Sequence, residues 1–524
     1  MDRLQQIQSQ LNHLPISVRI VLGGFILCIL YAVFTRERPH AGIPIVTLDR
    51  QGAEALLPDQ FSWFKHGKVI LSKGLKECPS CFQVRASSGY KIVVPNRFAD
   101  ELRNEPNLSL NENFAKDFFI EYPGFDGHRQ GLRDGSIIHE VVRTKLTQSL
   151  GTITNFLIDE TIDTLQDVFG EDEQWNTRPL KDDIADMVAR LTSRVFLGSE
   201  ICRNEAWLKV AKTYAMDSFV AQIHLRMCPG PLRPILHWFI PSCARLRRGV
   251  REARRLIDPE VQLRRKRAEE AVKAGLKPPK ETDAIGWMVE VSRGRPIDHV
   301  GCQLSLSILA IFSTSETLSR AILQLCDTPE IVKPLREEVI RVLQAEGWSK
   351  ITVGKMRLLD SFLKEVQRTR CLDLTSMKRM AKKNITLSDG TVLPAGSQIM
   401  VCDNLALDPR IFPNPEKFDM NRFLRLREQT GQENYHQFVT PSPSLMAFGY
   451  GQHACPGRFF ASNEVKVALC CMLLKYDFRL VPGASPPKDL EFETATTFDP
   501  ALKIQTRRRK EEIDVRNPHL NKSE

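Results

Sequence analysis

The chain has 524 residues, of which 42% are hydrophobic, and its formal net charge is +10. This composition supplies enough apolar side chains for one large core, and the positive charge suits an anionic membrane surface or an acidic protein partner. Nucleic acid is not expected as a partner, because neither zinc-finger spacing nor an aromatic–basic RNA motif is present. Thirteen cysteines without framework spacing argue against a disulfide scaffold and favour a reducing compartment.

A membrane anchor is predicted at the N-terminus. The chain from Leu14 to Phe34 is apolar apart from Arg19 and a few small polar residues, which is about the length that crosses a bilayer. A cleaved signal peptide is the alternative, but no convincing small-x-small cleavage site follows this run. We expect three parts: a single-pass anchor over residues 1–38, one large domain over residues 39–506 and a charged, frayed tail over residues 507–524.

After the anchor, the pattern is mostly helical with small strand regions. Hairpins are predicted from Phe82 to Val94 and from Asn384 to Val392, each around a Gly-containing turn. Prolines interrupt an apolar segment from Phe219 to Ile240, and an ordinary buried helix pair with a Pro-rich turn would give this pattern. The fold class is therefore mainly α with small β-sheets. Helical patterns include Asp182 to Leu197, Pro259 to Ala274, Val300 to Leu325 and Pro329 to Ala345.

Polar residues recur at helical spacing in this region. His139 and Arg143 are one turn apart, which by itself fits a solvated basic face equally well. Ser313 and Thr314 lie in a long apolar helical run, where hydroxyls ordinarily bond back to the previous turn.

A second helical stretch carries a possible ion pair. Glu365 and Arg368 are three residues apart and share a helix face. An exposed pair of this kind contributes little to stability. The segment from Pro415 to Phe423 follows downstream and supplies a further arginine, Arg422.

The most informative stretch runs from Phe448 to Arg458. It holds a single cysteine, Cys455, in a loop with glycines before and after it, followed by an apolar helical pattern. Glycine lets backbone approach a flat ligand closely. A thiolate in such a loop can be the fifth ligand of haem iron, and its electron donation favours O–O cleavage. The alternative is a buried, inert cysteine in a Gly-rich turn.

Taken together, these motifs resemble those of the haem-thiolate monooxygenases, the cytochromes P450. The cysteine loop fits the pattern Phe-x-x-Gly-x-His/Arg-x-Cys-x-Gly at every fixed position. The resemblance implies the cytochrome P450 fold with haem b as cofactor and the thiolate of Cys455 as axial iron ligand. The matching residues are Phe448, Gly451, His453, Cys455 and Gly457.

The resemblance also implies roles for the other motifs. Glu365, Arg368 and Arg422 would form a buried trio that holds the haem-side core together. In the family's central helix an acid precedes a threonine, whereas this chain has Phe312 and then Ser313. Proton delivery would therefore fall to Ser313 or Thr314. The residues implied to contact the haem propionates are His139, Arg143, His453 and Arg379.

A closer likeness is to the fungal ent-kaurene oxidase-like group. It implies oxidation of a hydrophobic fungal metabolite, most of all a terpenoid (diterpenoid, indole diterpenoid or meroterpenoid), with O2 and with electrons from NADPH-cytochrome P450 reductase. It also implies an endoplasmic-reticulum anchor with the catalytic domain in the cytosol. An oxygen-independent isomerase or dehydratase and a non-catalytic haem-binding protein are the alternatives. The likeness rests on Arg194 to Gly198, Cys202 to Asn204, Trp207, Leu387 to Thr391 and Arg458 to Glu464.

Overall fold

The computed structural model describes residues 37–49, 59–133, 135–484 and 487–518, together with isolated positions between 15 and 24. The predicted anchor from Leu14 to Phe34 therefore lies outside the described residues, apart from those positions. The described part is mainly helical with small sheets, as the sequence predicted.

The helices of the described residues are numbered here in chain order. They are α1 Asp59–Glu77, α2 Ala99–Leu102, α3 Leu110–Phe118, α4 Asp126–Gly131, α5 Ile137–Glu140, α6 Leu150–Phe169, α7 Leu180–Leu197, α8 Glu205–Met227 and α9 Arg233–Leu236. The chain continues with α10 Pro241–Lys273, α11 Ala284–Ser292, α12 His299–Asp327, α13 Val332–Glu346, α14 Lys350–Lys355, α15 Arg357–Thr369, α16 Arg422–Arg427 and α17 Arg458–Lys475.

The strands form small sheets at the edges of the helical body. They are β1 Phe82–Ala86, β2 Gly89–Val94, β3 Leu108–Ser109, β4 Asn176–Pro179, β5 Thr375–Ala381, β6 Ile385–Thr386, β7 Val392–Leu393, β8 Gln398–Cys402, β9 Tyr476–Leu480, β10 Asp489–Phe492, β11 Ala495–Phe498 and β12 Lys503–Arg508. The largest has the order β1-β2-β8-β5-β3, with β2 and β8 parallel. Both predicted hairpins are present, as β1–β2 and β6–β7.

Helix α12 is the central element of the core. It packs against α4, α7, α8 and α10, and its residues belong to the largest hydrophobic cluster. By length and composition it could span a membrane, but 67% of its most apolar window is buried inside the protein. It is therefore the core helix of this fold, and the predicted helix from Val300 to Leu325 corresponds to it.

One predicted helix boundary is wrong. The sequence placed a helix start at Pro259, whereas α10 runs from Pro241 to Lys273 with Pro259 inside it. A proline inside a helix lacks an N–H donor and disfavours the helical turn before it. Contacts on both sides hold the helix in line here: Ile257 is fully buried, and Arg264 donates to the carboxylate of Asp283 at 2.7 Å.

The prediction of a frayed tail from Arg507 is also wrong for residues 507–518. β12 extends to Arg508, and the side chains of Ile513 and Val515 are buried at 1% and 3% exposure. The indole of Trp348 donates to the carbonyl oxygen of Val515 at 2.6 Å. The charged residues that suggested a solvated tail form ion pairs with nearby residues, for example Arg508 with Glu511 at 2.6 Å. Residues 519–524 lie outside the described residues.

Candidate active site

Cys455 lies at the end of a loop that leads directly into α17. Its backbone N–H donates to the carbonyl oxygen of Phe448 at 2.7 Å, which closes the loop. Burial raises the pKa of the Cys455 thiol, whereas the backbone N–H groups of Gly457 and Arg458 oppose that rise. Amide hydrogens directed at a sulfur atom favour the thiolate over the thiol. The loop therefore presents a sulfur atom suited to act as an anionic ligand.

The loop is docked on α2 and on Arg103, which directly follows that helix. Gly451 has a φ of +74°, and a Cβ at this position would lie 2.2 Å from the carbonyl oxygen of Arg103. Only glycine meets both requirements. The neighbouring hydroxyl of Tyr450 donates to Asp100 at 2.7 Å and accepts from Arg103 at 2.7 Å. These contacts fix where the cysteine loop stands.

Gly457 differs from Gly451 in the space around it. A Cβ at Gly457 would meet Val142 at 3.7 Å, which is an ordinary contact, and its φ is not positive. Protein atoms therefore do not require glycine at this position, whereas a flat ligand lying against the loop would. At the start of the cysteine loop, the ring of Phe448 packs edge-to-face against the ring of Phe438, with 5.4 Å between the ring centroids.

A cluster of basic side chains, in which Arg379 is the buried cation, lies beside this loop. The pKa of His453 is lowered first by burial and then by the charges of Arg379 and His139, so these three side chains share one environment. Arg379 is 5% exposed, and burial lowers the pKa of its guanidinium to about 10. It donates to the carbonyl oxygen of Lys378 at 2.8 Å, and no carboxylate pairs with it within the described ranges. Buried cations of this kind need an anion, and haem propionates fit that need.

Arg143 is more exposed to solvent than the other residues predicted to bind the propionates. It belongs to a π-helical turn, Val141–Leu146, that continues α5, and its side chain is exposed. Single π-helical turns inside helices are frequent at functional sites. The pKa of His139 is lowered by burial and then by the charge of Arg143. Arg143 therefore stands at the rim of the cluster and His139 within it.

Helix α12 exposes one narrow strip in the middle of its buried length. Leu309 and Phe312 are 58% and 46% exposed and Ser313 is also exposed, although residues 300–307 and 314–316 are buried. The three are spaced i, i+3 and i+4, so they share one face. We call them the exposed strip. Ser313 Oγ donates to the carbonyl oxygen of Leu309 at 3.3 Å, while Thr314 is only 3% exposed and lies a third of a turn away.

The predicted trio of charges is brought together in the core. Arg368 donates to both carboxylate oxygens of Glu365, at 2.8 and 2.7 Å, and Arg422 donates to the same carboxylate at 3.1 Å. The Glu365 and Arg368 side chains are fully buried. Arg368 also donates to the carbonyl oxygen of Ala406 at 2.8 Å, which ties α15 to the segment before α16.

The sequence analysis missed a buried acid on the central helix. Glu316 is 2% exposed, and its carboxylate lies 2.6 Å from Lys181 Nζ. It follows Phe312 by four residues, so it lies one turn along the same face. The available signal was an acidic residue inside an otherwise apolar helical run.

Comparison with known proteins gives consistent matches. Residues 136–505 match the protein-family model described as Cytochrome P450. Cytochrome P450 monooxygenase bsc2 of Alternaria brassicicola is 49% identical over 483 residues, covering 92% of each chain. Cytochrome P450 monooxygenase adrA of Penicillium rubens is 36% identical over 95% of this chain and 97% of its own. Cytochrome P450 monooxygenase TRI1 of Fusarium sporotrichioides is 38% identical over 83% of this chain and 80% of its own.

Proposed function

Because the chain belongs to the cytochrome P450 family, we propose that this haem-thiolate monooxygenase oxidises a hydrophobic fungal secondary metabolite, most of all a terpenoid. Haem, held by a cysteine thiolate, supplies the activation of O2. Electrons come from NADPH through a separate cytochrome P450 reductase. The terpenoid class is supported by the likeness to the ent-kaurene oxidase-like group, which is an analogy about class.

The observation that carries the hydrophobic substrate is the exposed strip of α12. A ligand that covers Leu309 and Phe312 removes two large apolar side chains from water. Complete burial of each is worth about 1.5–3 kcal/mol. The strip contains one hydroxyl and no ionisable group, so it suits an uncharged, apolar part of the substrate.

The site residues divide into four roles in this proposal. Cys455 supplies the thiolate, and the loop containing Phe448, Gly451 and Gly457 lets the ligand approach closely. The trio of Glu365, Arg368 and Arg422 holds the scaffold, and Ser313 or Thr314 passes protons to the reacting oxygen. The residues that bind the propionates are His139, Arg143, His453 and Arg379.

The function is tested with the full chain in microsomes that also contain a fungal reductase. A panel of diterpenoids, indole diterpenoids and meroterpenoids is offered with NADPH under ¹⁸O2. We expect one of them to gain a single ¹⁸O atom per oxidation step. A product without ¹⁸O would identify an oxygen-independent isomerase or dehydratase instead. A haem that the reductase can reduce, but that yields no oxidised product from any panel member, would contradict the proposed substrate class.

Replacing Ser313 with alanine should uncouple turnover. The hydroxyl sits on the exposed strip, and general acid assistance is typically worth about 10²–10⁴-fold. Ser313→Ala should still consume NADPH but release peroxide in place of product. The matched variant Thr314→Ala should uncouple less, because Thr314 is buried. Product formed per NADPH decides between them, and unchanged coupling in both variants would show that neither hydroxyl carries protons.

We further propose that residues 1–38 anchor the protein in the endoplasmic-reticulum membrane with the catalytic domain in the cytosol. The apolar length of this segment supports the proposal. So do Trp238 and Phe239, which are 55% and 78% exposed between α9 and α10, since aromatic side chains favour the membrane interface.

Removing residues 1–38 should weaken membrane attachment while haem loading persists. Sedimentation with microsomes measures the first, and the haem spectrum measures the second. Residual attachment should fall further in a truncated protein that also carries Trp238→Ser and Phe239→Ser. Loss of haem from the cleanly truncated chain would argue against a separable anchor.

A further inference from the structure

Just beyond the exposed strip, α12 contains a cluster of unpaired polar atoms. Such atoms cost about 1–3 kcal/mol each when nothing pairs with them, and proteins commonly satisfy them with ordered water. All four lie within six consecutive residues of one helix. The four atoms of this cluster, none of which has a hydrogen-bond partner among the described residues, are Ser315 Oγ, Glu316 Oε2, Ser319 Oγ and Arg320 Nε.

These atoms continue the direction of the exposed strip. At 100° per residue, Glu316 follows Phe312 by one turn and Ser313 by three residues. Arg320 follows Glu316 by another turn, and its Nε lies 3.7 Å from Glu316 Oε2. This distance is too long for a hydrogen bond, but one water molecule can bind both atoms. A file of water along this face would begin at Ser313.

The other carboxylate oxygen of Glu316, Oε1, contacts two side chains that lie between it and the protein surface. Glu316 Oε1 accepts from Thr497 Oγ1 at 2.8 Å and lies 2.6 Å from Lys181 Nζ. Lys181 also donates to Thr497 at 2.5 Å, so the three side chains form a closed triangle. The side chain of Glu316 is 1% exposed and that of Lys181 is 21% exposed. The triangle therefore links the partly exposed Lys181 with the buried carboxylate of Glu316.

We propose that Glu316, positioned by Lys181 and Thr497, is the acidic member of the proton relay that serves Ser313. This inference rests on the proposed monooxygenase function. Phe312 occupies the position that the family resemblance gives to an acid, and Glu316 supplies a carboxyl group one turn away. Because Glu316 acts through water and Ser313, it is a positioning residue for proton transfer.

The proton balance is simple. One turnover consumes O2, two electrons from NADPH and two protons, places one oxygen atom in the substrate and releases the other as water. For each proton, the Glu316 carboxylate takes it from water beside Lys181 and passes it to the ordered water. The Ser313 hydroxyl gives its own proton to the reacting oxygen and regains one from that water. Every carrier ends as it began.

A purely structural role for the Lys181–Glu316 pair is the alternative. The variant Glu316→Gln distinguishes the relay role from the structural role, because it keeps the size of the side chain and removes the titratable group. If Glu316 belongs to the relay, product formed per NADPH falls about tenfold or more in this variant. Each NADPH that no longer yields product then yields one molecule of peroxide. The solvent deuterium isotope effect on product formation should also increase. In a structural role, thermal stability changes and coupling does not.

A readout independent of turnover comes from infrared spectroscopy. Light-driven release of carbon monoxide from the reduced protein perturbs only groups linked to the ligand pocket. We expect a carboxylate band in the light-minus-dark spectrum that is absent from Glu316→Gln. The control is Asp327→Asn, which changes the acid at the far end of the same helix, where Asp327 pairs with Arg370. That variant should keep both the band and the coupling.

The outcomes are distinguishable. If the wild-type chain gives no ¹⁸O-labelled product, the proposed function fails and the infrared band alone tests the relay. If the wild type is coupled and Glu316→Gln is equally coupled with an unchanged infrared spectrum, the relay is overturned. Should Glu316→Gln fail to load haem, Lys181→Met replaces it, because Lys181 is nearer the surface. Normal coupling and an unaltered infrared band in that variant would overturn the relay as well.

Discussion

Replacing Cys455 with alanine should abolish both the thiolate signature and turnover. The reduced carbon-monoxide complex of a cysteine-ligated haem has a strongly red-shifted Soret band that histidine ligation does not give. The sulfur of Cys455 accepts from backbone N–H groups at the start of α17, which favours its thiolate form. Within the described part of the chain, no other cysteine has this arrangement. We expect the band to disappear completely and product formation to fall below detection.

Cys228→Ala is the matched control for this experiment. Cys228 is also a free, half-buried cysteine, but it lies after α8, and its thiol donates to the carbonyl oxygen of His224. This variant should keep the band and full activity. A Cys455→Ala protein that retained the red-shifted band would assign the iron ligand to a different residue.

Replacing Glu365 with glutamine should have the largest effect on stability. Its carboxylate receives both arginines of the buried trio, so the substitution leaves two guanidinium groups without their anion. Breaking a buried charge pair on one side typically costs about 3–5 kcal/mol. We expect little folded, haem-loaded protein at 25 °C and a melting temperature lowered by many degrees in whatever folds.

The matched control is Glu252→Gln. Glu252 also pairs with an arginine three residues away, Arg255, but both side chains are accessible to solvent. Exposed pairs contribute little, so haem content and melting temperature should stay close to those of the wild type. Equal losses in the two variants would show that burial of the trio is not what makes it important.

The parts of the fold that local sequence could predict are those that depend on neighbouring residues. The cysteine loop, the Glu365–Arg368 helix and both hairpins all follow from spacings of twelve residues or fewer. The apolar period of α12 is equally local. These signals suffice for a mainly helical fold and for the residues around the thiolate.

The remaining features depend on contacts between distant segments. Nothing near Gly451 in the sequence indicates that Arg103 presses against it. Pro259 has the local signature of a helix start, and only the packing of Ile257 and Arg264 carries the helix through it. The charges of residues 507–518 suggest a solvated segment, although Ile513 and Val515 reach the core. The importance of Glu316 likewise depends on Lys181, which is far away in the chain.

The docking of the cysteine loop on α2 and Arg103 has a consequence for the order in which the protein matures. Tyr450 and Asp100 bond across 350 positions of sequence. At about 5–20 residues per second, a ribosome needs roughly 20 to 70 seconds to make the intervening chain. The thiolate loop therefore emerges well after its docking partner has left the ribosome. Haem capture is therefore a late step, and the nascent helices must be protected from aggregation until the prosthetic group arrives.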